Sequence, residues 1–396
     1  MTIIHISSDY PDACNPYKTQ AVRNLVDAAS VPFDNFIYSL NRIDISPLRA
    51  VKDRLGGGAD SFQRRVIESG SDIMACWTYQ APSKGLYLKS TMTMLADLIS
   101  EDIIRRRLKP ALIQGHKLSM EGIIAHRVAQ NIGIPYALSV QGNSDRTILQ
   151  IRRDLWPLYR AIYHGAAIIF PFTPWAHDYL EKTLGHRTGP VEMMPCITSQ
   201  DQIITPKETP PRIISAFHLK QWKLKNLAAL AKAARYIGAS VPNFACTVYG
   251  GGALADVTAA RNALARFGNP HISLGGPVAH QAMQPLMNRA AGFAMLSKKE
   301  SFGMVFIEAL LAGCPVVYPQ DAAIDGYFDD HDFAIAAPAG DQAAINAAMA
   351  KLVHDQSRLK KALHIWQQQG GPAFFQQGLI STRYIAGLKT AMQDAI

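Results

Sequence analysis

The sequence predicts an α/β protein built from two doubly wound domains in tandem, and three observations carry that prediction. Short apolar runs of strand length alternate with segments whose apolar residues recur at helical spacing. The alternation weakens near residues 191–211 and then restarts. A length of 396 residues, 48% hydrophobic and 18% charged, suffices for two cores and excludes a disordered or fibrous class.

Ile3-Ile-His-Ile reads as a buried first strand, and Thr19 to Ala29 as the helix that follows it. Leu112-Ile-Gln-Gly-His is a strand leading to a helix from about Met120 to Gln130. Pro135-Tyr-Ala-Leu-Ser-Val is the next strand, and Ala167-Ile-Ile-Phe precedes a helix beginning near Pro174. Such alternation gives parallel sheets with helices on both faces. The stretch from Asp60 to Lys109 reads as irregular, and Gly56-Gly57-Gly58 as a flexible loop. Pro195, Pro206, Pro210 and Pro211 bracket a polar stretch that marks a boundary. It divides the chain into a first domain over 1–200, a second over 201–372, and a terminal helix over 373–396 expected to cross back to the first.

In the second domain Arg212-Ile-Ile-Ser-Ala-Phe opens as a strand, and Asn226 is placed to cap a helix running to Tyr236, with Gly238 ending it. Strands are expected at Ala245-Cys-Thr-Val-Tyr, His271-Ile-Ser-Leu, Phe293-Ala-Met-Leu and Pro315-Val-Val-Tyr, followed by helices after about Asp341. Doubly wound sheets bind ligands at the carboxyl ends of their strands, and two of them in tandem are expected to create a cleft there.

Five cysteines without a C-x-x-C pair encode neither a disulfide framework nor a zinc knuckle. The opening residues, interrupted by Asp9 and Pro11, are too short for a secretory signal, and no later apolar run approaches roughly 18 residues. The expected location is the cytoplasm. The net charge of +9 suits polyphosphate-bearing substrates, an anionic membrane surface or nucleic acid. Arg105-Arg106-Arg107 with Lys109 reads equally well as a solvated helix end or a membrane-facing patch.

The most informative stretch runs from Phe293 to Tyr318. It is a strand, a loop with Glu300 and Gly303, a short helix ended by Gly313, and a strand started by Pro315. Gly303 allows close backbone approach, and the free amides of Phe302, Gly303 and Met304 at the helix start suit an anion such as a diphosphate. Glu308 lies one turn further on, where its carboxylate leans toward the helix start. Carboxylates accept hydrogen bonds from sugar hydroxyls.

The run Glu300-Ser-Phe-Gly-Met-Val-Phe-Ile-Glu308, continuing through Ala309, Gly313, Pro315, Val316 and Val317, resembles the signature of glycosyltransferase family 4. The resemblance implies a GT-B fold of two Rossmann-like domains facing across a cleft, and retaining, metal-independent transfer from a nucleoside-diphosphate sugar. It implies that Glu300 contacts the donor sugar, Gly303 with Met304 the sugar and phosphate, and Glu308 the ribose. It covers residues 212–317 well and the first domain only in outline.

Lys220, Lys223 and Lys225 fall between a strand end and a helix start, where ammonium groups can neutralise a leaving diphosphate. Lys225-Asn226 resembles the end of the family's Arg-then-Lys pair. No Arg stands in the expected place, which His218 or Lys220 would fill. Tyr249-Gly-Gly-Gly-Ala-Leu-Ala matches G-x-G-x-x-A through Gly250, Gly252 and Ala255, but no carboxylate follows at the end of the next strand. The resemblance makes Gly250 and Gly252 candidates for a turn bordering the nucleotide.

For the first domain, the family's glycine pair after the first strand is replaced by Asn15, Lys18 and Thr19, and the His of its His-Gly strand end by Gln141. These and His116, at the end of another strand, are the candidate acceptor contacts. Asp330-His331-Asp332 reads as a surface turn rather than a metal site.

The reading is a hexosyltransferase with a nucleotide-sugar donor, no cofactor and no nucleic-acid partner. A glycan or lipid-linked glycan is its expected acceptor, at the inner membrane face in surface polysaccharide or glycolipid assembly. A non-catalytic sugar-nucleotide or polysaccharide-binding protein, a UDP-sugar epimerase and a nucleotide-dependent oxidoreductase stay open beside it. Base, sugar, acceptor and linkage are not encoded in the motifs.

Overall fold

The structure is a computed structural model that describes residues 1–49, 62–69, 72–82, 85–86 and 88–393. The Gly56-Gly57-Gly58 loop lies outside the described residues. Packing divides the chain into two compact units. The first comprises Met1–Phe172, Ala176–Ile197 and Gly378–Ile396, and the second Thr173–Trp175 with Thr198–Gln377.

The first unit holds a seven-stranded sheet, ordered β3-β4-β2-β1-β5-β6-β7. Its strands are β1 (Thr2–Ser7), β2 (Asp34–Ile45), β3 (Phe62–Ser69), β4 (Asp72–Pro82), β5 (Pro110–Gly115), β6 (Tyr136–Val140) and β7 (Ile168–Pro171). Ile4 in β1 pairs with Phe36 on one side and Ile113 on the other, and Ile3, Ile4 and Ile6 are wholly buried. All neighbours are parallel except β3 and β4. That pair corrects two expectations, an all-parallel sheet and an irregular stretch from Asp60 to Lys109. The same stretch also supplies the helix Leu88–Arg105, which buries Leu88, Met92, Leu95, Ile99 and Ile103 at spacings of three and four. The sequence hides β3 because Phe-Gln-Arg-Arg-Val-Ile-Glu-Ser mixes charge with apolar residues, as an edge strand can.

The terminal helix Gln377–Gln393 completes this unit. Tyr384 meets Phe170 edge-on at 5.1 Å, Arg383 pairs with Glu192, and a Cβ on Gly387 would lie 2.6 Å from the Phe170 ring. Only glycine lets the helix approach so closely.

The second unit holds a six-stranded parallel sheet, ordered β10-β9-β8-β11-β12-β13. The strands are β8 (Arg212–Ala216), β9 (Ala245–Tyr249), β10 (Ile272–Gly276), β11 (Gly292–Ala294), β12 (Val316–Pro319) and β13 (Ala334–Ala337). The last was not expected from its sequence. The helix Leu227–Gly238 buries Leu227, Leu230, Ala234 and Ile237. Asn226 precedes it at φ 59° but does not cap it through its side chain, which donates instead to Ala339 O at 3.0 Å. In each sheet the chain turns back across its starting strand, between β1 and β5 and between β8 and β11. Those two crevices are the topological switch points where doubly wound sheets take ligands.

Candidate functional site

In the second unit the loops after β8 and β11 meet at the switch point. Lys298 N–H donates to Leu224 O at 2.8 Å, fixing one loop to the other. Across the same junction Lys225 Nζ lies 2.6 Å from Glu300 Oε2, with the two side chains 14% and 15% exposed. Ser297 Oγ donates to the same carboxylate oxygen at 3.2 Å. Three residues further on, Gly303 turns the chain at φ 71° into the helix Met304–Leu311, and a Cβ there would lie 2.7 Å from the Phe306 ring. Among the described residues the amides of Phe302, Gly303 and Met304 have no backbone acceptor. The helix start therefore presents unpaired N–H groups beside a lysine and a carboxylate.

Glu308, on the same helix, is 9% exposed and accepts a 2.5 Å hydrogen bond from Thr198 Oγ1. Burial pushes its carboxyl above the usual range, against the pull of Thr198 and of His280. Sequence reasoning named Glu308 but missed what surrounds it. Ser199 Oγ and His280 Nε2 are 2.8 Å apart, and Gln284 Nε2 donates to Glu308 O at 3.3 Å. Thr198 and Ser199 sit in the proline-bounded boundary, a position with no motif to mark it.

Of the other residues in the loop after β8, His218 and Lys220 are exposed, and His218 Nδ1 accepts from the Lys220 amide at 3.3 Å. Lys223 Nζ lies 5.3 Å from the centre of the Trp222 ring, a cation–π contact. Gly250 stands at φ 151°, where a Cβ would fall 1.9 Å from Phe217 O. This turn stitches the ends of β8, β9 and β10 together, through Phe217 N to Tyr249 O at 3.0 Å and Gly250 N to Gly276 O at 2.9 Å. Gly252 faces His218 Cε1 and Asp256.

The first unit sorts its candidates differently. Asn15 and Thr19 are exposed, whereas Lys18 is withdrawn into a buried ion pair with Asp12 at 2.9 Å and also donates to Ser39 Oγ. Burial would raise the Asp12 carboxyl, but hydrogen bonds from Ser39, Lys18 and Asn41 win and hold it below the usual range. Gln141 is 7% exposed and donates to His116 O at 2.8 Å. His116 is wholly buried, its ring 3.0 Å from His5 Nδ1 and 3.3 Å from Ser139 Oγ.

That histidine pair has a pH signature. Asn35 donates to Val26 O and turns its carbonyl to His5 Nε2, so His5 Nδ1 accepts from His116 Nε2 and both rings are neutral. Burial holds His5 down to about 4 despite its Asn35 bond, and burial with the nearby His5 and Lys117 holds His116 well below the ordinary value. An unfolded imidazole takes its proton near pH ~6.5, so the folded chain binds fewer protons below that, and stability is lost as pH falls towards about 4. The urea midpoint of the first unit is expected to drop between pH 7 and 4.5, with a shallower drop in His116→Gln. Equal slopes in the two proteins would contradict the pair's role.

Sequence reasoning also passed over Asp9, Lys117 and Glu121, which meet at the switch point between β1 and β5. Lys117 Nζ lies 2.7 Å from Asp9 Oδ2 and 2.8 Å from Ser8 Oγ. The spacing of Lys117 and Glu121, four apart just after an apolar strand, was the available signal.

Asp332 of the Asp330-His331-Asp332 turn pairs with Arg358, and His331 stacks on Phe333. Among the described residues no group of three or more His, Cys, Asp or Glu could hold a metal, and no helix is long and apolar enough to cross a membrane. Arg105 and Arg106 both bind Asp102, which ties two charges of the basic cluster to their own helix.

These units and their switch-point sites define the class: the fold is that of GT-B glycosyltransferases. Residues 197–370 match the family described as Glycosyl transferases group 1. The solved sucrose-phosphate synthase of Thermosynechococcus elongatus is 17% identical, with a TM-score of 0.67 and 100% of each chain covered. The alpha,alpha-trehalose-phosphate synthase (UDP-forming) of Burkholderia xenovorans, in complex with glucose-6-phosphate, is 10% identical, with a TM-score of 0.65, covering 98% of this chain and 100% of that one. HepE of Anabaena, in complex with UDP and glucose, is 13% identical, with a TM-score of 0.60, covering 98% and 99%. No curated protein matches the sequence.

Proposed function

We propose that the chain is a glycosyltransferase that takes a hexosyl group from a nucleoside-diphosphate sugar and delivers it to an acceptor hydroxyl with retention at the anomeric carbon. The observation that carries the proposal is the second unit's switch point, where unpaired amides at Phe302 to Met304 stand beside the Lys225–Glu300 pair and ahead of Glu308. The match over residues 197–370 covers all of these groups and supports transfer from a nucleotide sugar.

In this reading the diphosphate lies against the helix-start amides, with Lys225 and Lys220 facing the charge that grows as the glycosyl bond breaks. Glu300 accepts from hydroxyls of the transferred sugar, and Glu308 from the ribose, displacing Thr198. A phosphate oxygen of the departing diphosphate takes the acceptor's proton, so neither a protein base nor a metal is required. The acceptor is a glycan or lipid-linked glycan, and the net charge of +9 supports work at an anionic membrane face, in polysaccharide or glycolipid assembly.

The test is a thermal-shift screen of UDP, GDP, ADP, dTDP and CMP, with and without magnesium, on wild type and Glu308→Ala. A ligand at 100 times its Kd stabilises by about 2.7 kcal/mol. One nucleoside diphosphate is expected to shift the wild type irrespective of magnesium and to lose most of that shift in the variant. No shift with any of them would remove the proposal. A shift without turnover of the matching sugar nucleotide would favour a binding protein.

A further inference from the structure

Glu300 stands on a loop, and that loop is anchored on both sides. On one side Lys298 N–H donates to Leu224 O at 2.8 Å, and on the other Ala323 N–H donates to Glu300 O at 3.2 Å. Ala323 belongs to the turn after β12, a strand that pairs in parallel with β11, so the turn lies beside the Glu300 loop.

That turn is strained. Asp321 stands at φ 53° and Ala323 at φ 55°, in the left-handed region that favours glycine. Among the described residues the other non-glycine examples are Arg107, Asn226 and Asn243. Asn226 directly follows Lys225, so left-handed residues adjoin both members of the Lys225–Glu300 pair. Backbone of this kind persists where the surrounding structure over-determines it, and it gathers at functional sites.

Asp325 supplies that determination. Its Oδ2 accepts from Asp321 N–H at 2.6 Å, which closes the turn, and its carboxyl also accepts from the hydroxyl of Tyr318 in β12. Asp325 N–H donates back to Ala322 O at 3.2 Å, and Trp175 Nε1 donates to Ala323 O at 2.9 Å. Ala322, Ala323 and Ile324 are buried, so the turn is packed in place rather than free at the surface.

We infer that Asp325 is a positioning residue for Glu300: it closes the strained turn that holds Ala323 N–H against the Glu300 carbonyl, and so sets where the Glu300 carboxylate meets the transferred sugar. The inference rests on the glycosyltransferase reading, in which Glu300 accepts from that sugar.

The surroundings of Asp325 suit this role rather than that of an ion-pair partner. Burial raises its carboxyl, the Asp321 amide and the Tyr318 hydroxyl oppose that rise, and the nearby Asp329 and Asp321 add to it. Among the described residues no cation acts on it, so the two donors of the turn are what the carboxylate holds. Asparagine at this position keeps an oxygen for the Asp321 amide, whereas alanine removes it.

The experiment compares the whole chain as wild type, Asp325→Ala and Asp325→Asn. The first measurement needs no substrate: lysines are acetylated with acetic anhydride, and the rate at Lys225 is read by peptide mass spectrometry against the other lysines. Lys225 is 14% exposed and paired with Glu300, so Asp325→Ala is expected to speed its labelling and Asp325→Asn to leave it near the wild-type rate. The second is turnover of the nucleotide sugar whose diphosphate gives the thermal shift. Asp325→Ala is expected to lower kcat by about 10- to 100-fold, the scale of a misplacement of ~1 Å, with the affinity for that diphosphate unchanged. Asp325→Asn should recover most of the loss. In a Glu300→Gln background Asp325→Ala should cost little more, because it acts through Glu300. Unchanged Lys225 labelling, an unchanged kcat, or a loss that multiplies in the Glu300→Gln background would overturn the inference. Should Asp325→Ala not fold, Tyr318→Phe removes one donor of the same turn and is expected to move labelling and kcat in the same directions; wild-type behaviour there would overturn it equally. If no nucleotide sugar is turned over, the donor reading fails, while the labelling still decides whether Asp325 holds Glu300.

Discussion

Lys225→Met is expected to lower kcat by about 10²–10³, the usual cost of removing one group that stabilises charge developing in the transition state. Glu300→Gln, which leaves the lysine without its carboxylate, is expected to fall by a similar factor. Each residue is the other's partner at 2.6 Å, so the double variant should lose little more than either single one. The measurement is steady-state turnover of the nucleotide sugar identified by thermal shift, with circular dichroism to verify folding. Losses that multiply in the double variant would show that the two residues act separately, Lys225 on the diphosphate and Glu300 on the sugar, with nothing gained from their contact.

Gly250→Ala should be the most destabilising small substitution in the second unit. A Cβ at this position would overlap Phe217 O at 1.9 Å, and φ of 151° is a conformation that other residues rarely adopt. Backbone strain and overpacking each cost about 1–3 kcal/mol, so a loss of about 3 kcal/mol or more is expected. For a unit of this size that is a fall in Tm of about 10 °C. A Tm within a degree or two of wild type would mean the turn relaxes freely. Gly252→Ala is the comparison, because its nearest neighbours are side-chain atoms at 3.2 to 3.5 Å.

The fold class was legible because parallel strands buried on both faces leave continuous apolar runs, as at Ile3 to Ile6 and Val316 to Tyr318. The edge of the first sheet was not. The antiparallel pair β3 and β4 obeys neither the helical nor the fully buried pattern, because Phe62 to Ser69 sets charged residues among apolar ones and so shows no clean alternation. Local motifs gave Glu300, Gly303 and Glu308 because one loop and one helix carry all three. Thr198 and Glu308 are 110 residues apart, and no spacing rule joins them. The same holds for Asp9 and Lys117, which only the order of strands brings together. Nor does a strand-end position reveal that the His116 ring is part of a buried chain from Asn35 to Ser139.

The terminal helix Gln377–Gln393 belongs to the first unit, although the whole of Thr198–Gln377 separates it from the rest of that unit. During synthesis the ribosome therefore releases the second unit before the first can be finished. At about 5–20 residues per second, that interval lasts on the order of 10–40 s. Throughout it the ring of Phe170 waits without the cover that Tyr384 and Gly387 later supply. A chain stopped short of the last helix would leave that face of Phe170 uncovered permanently.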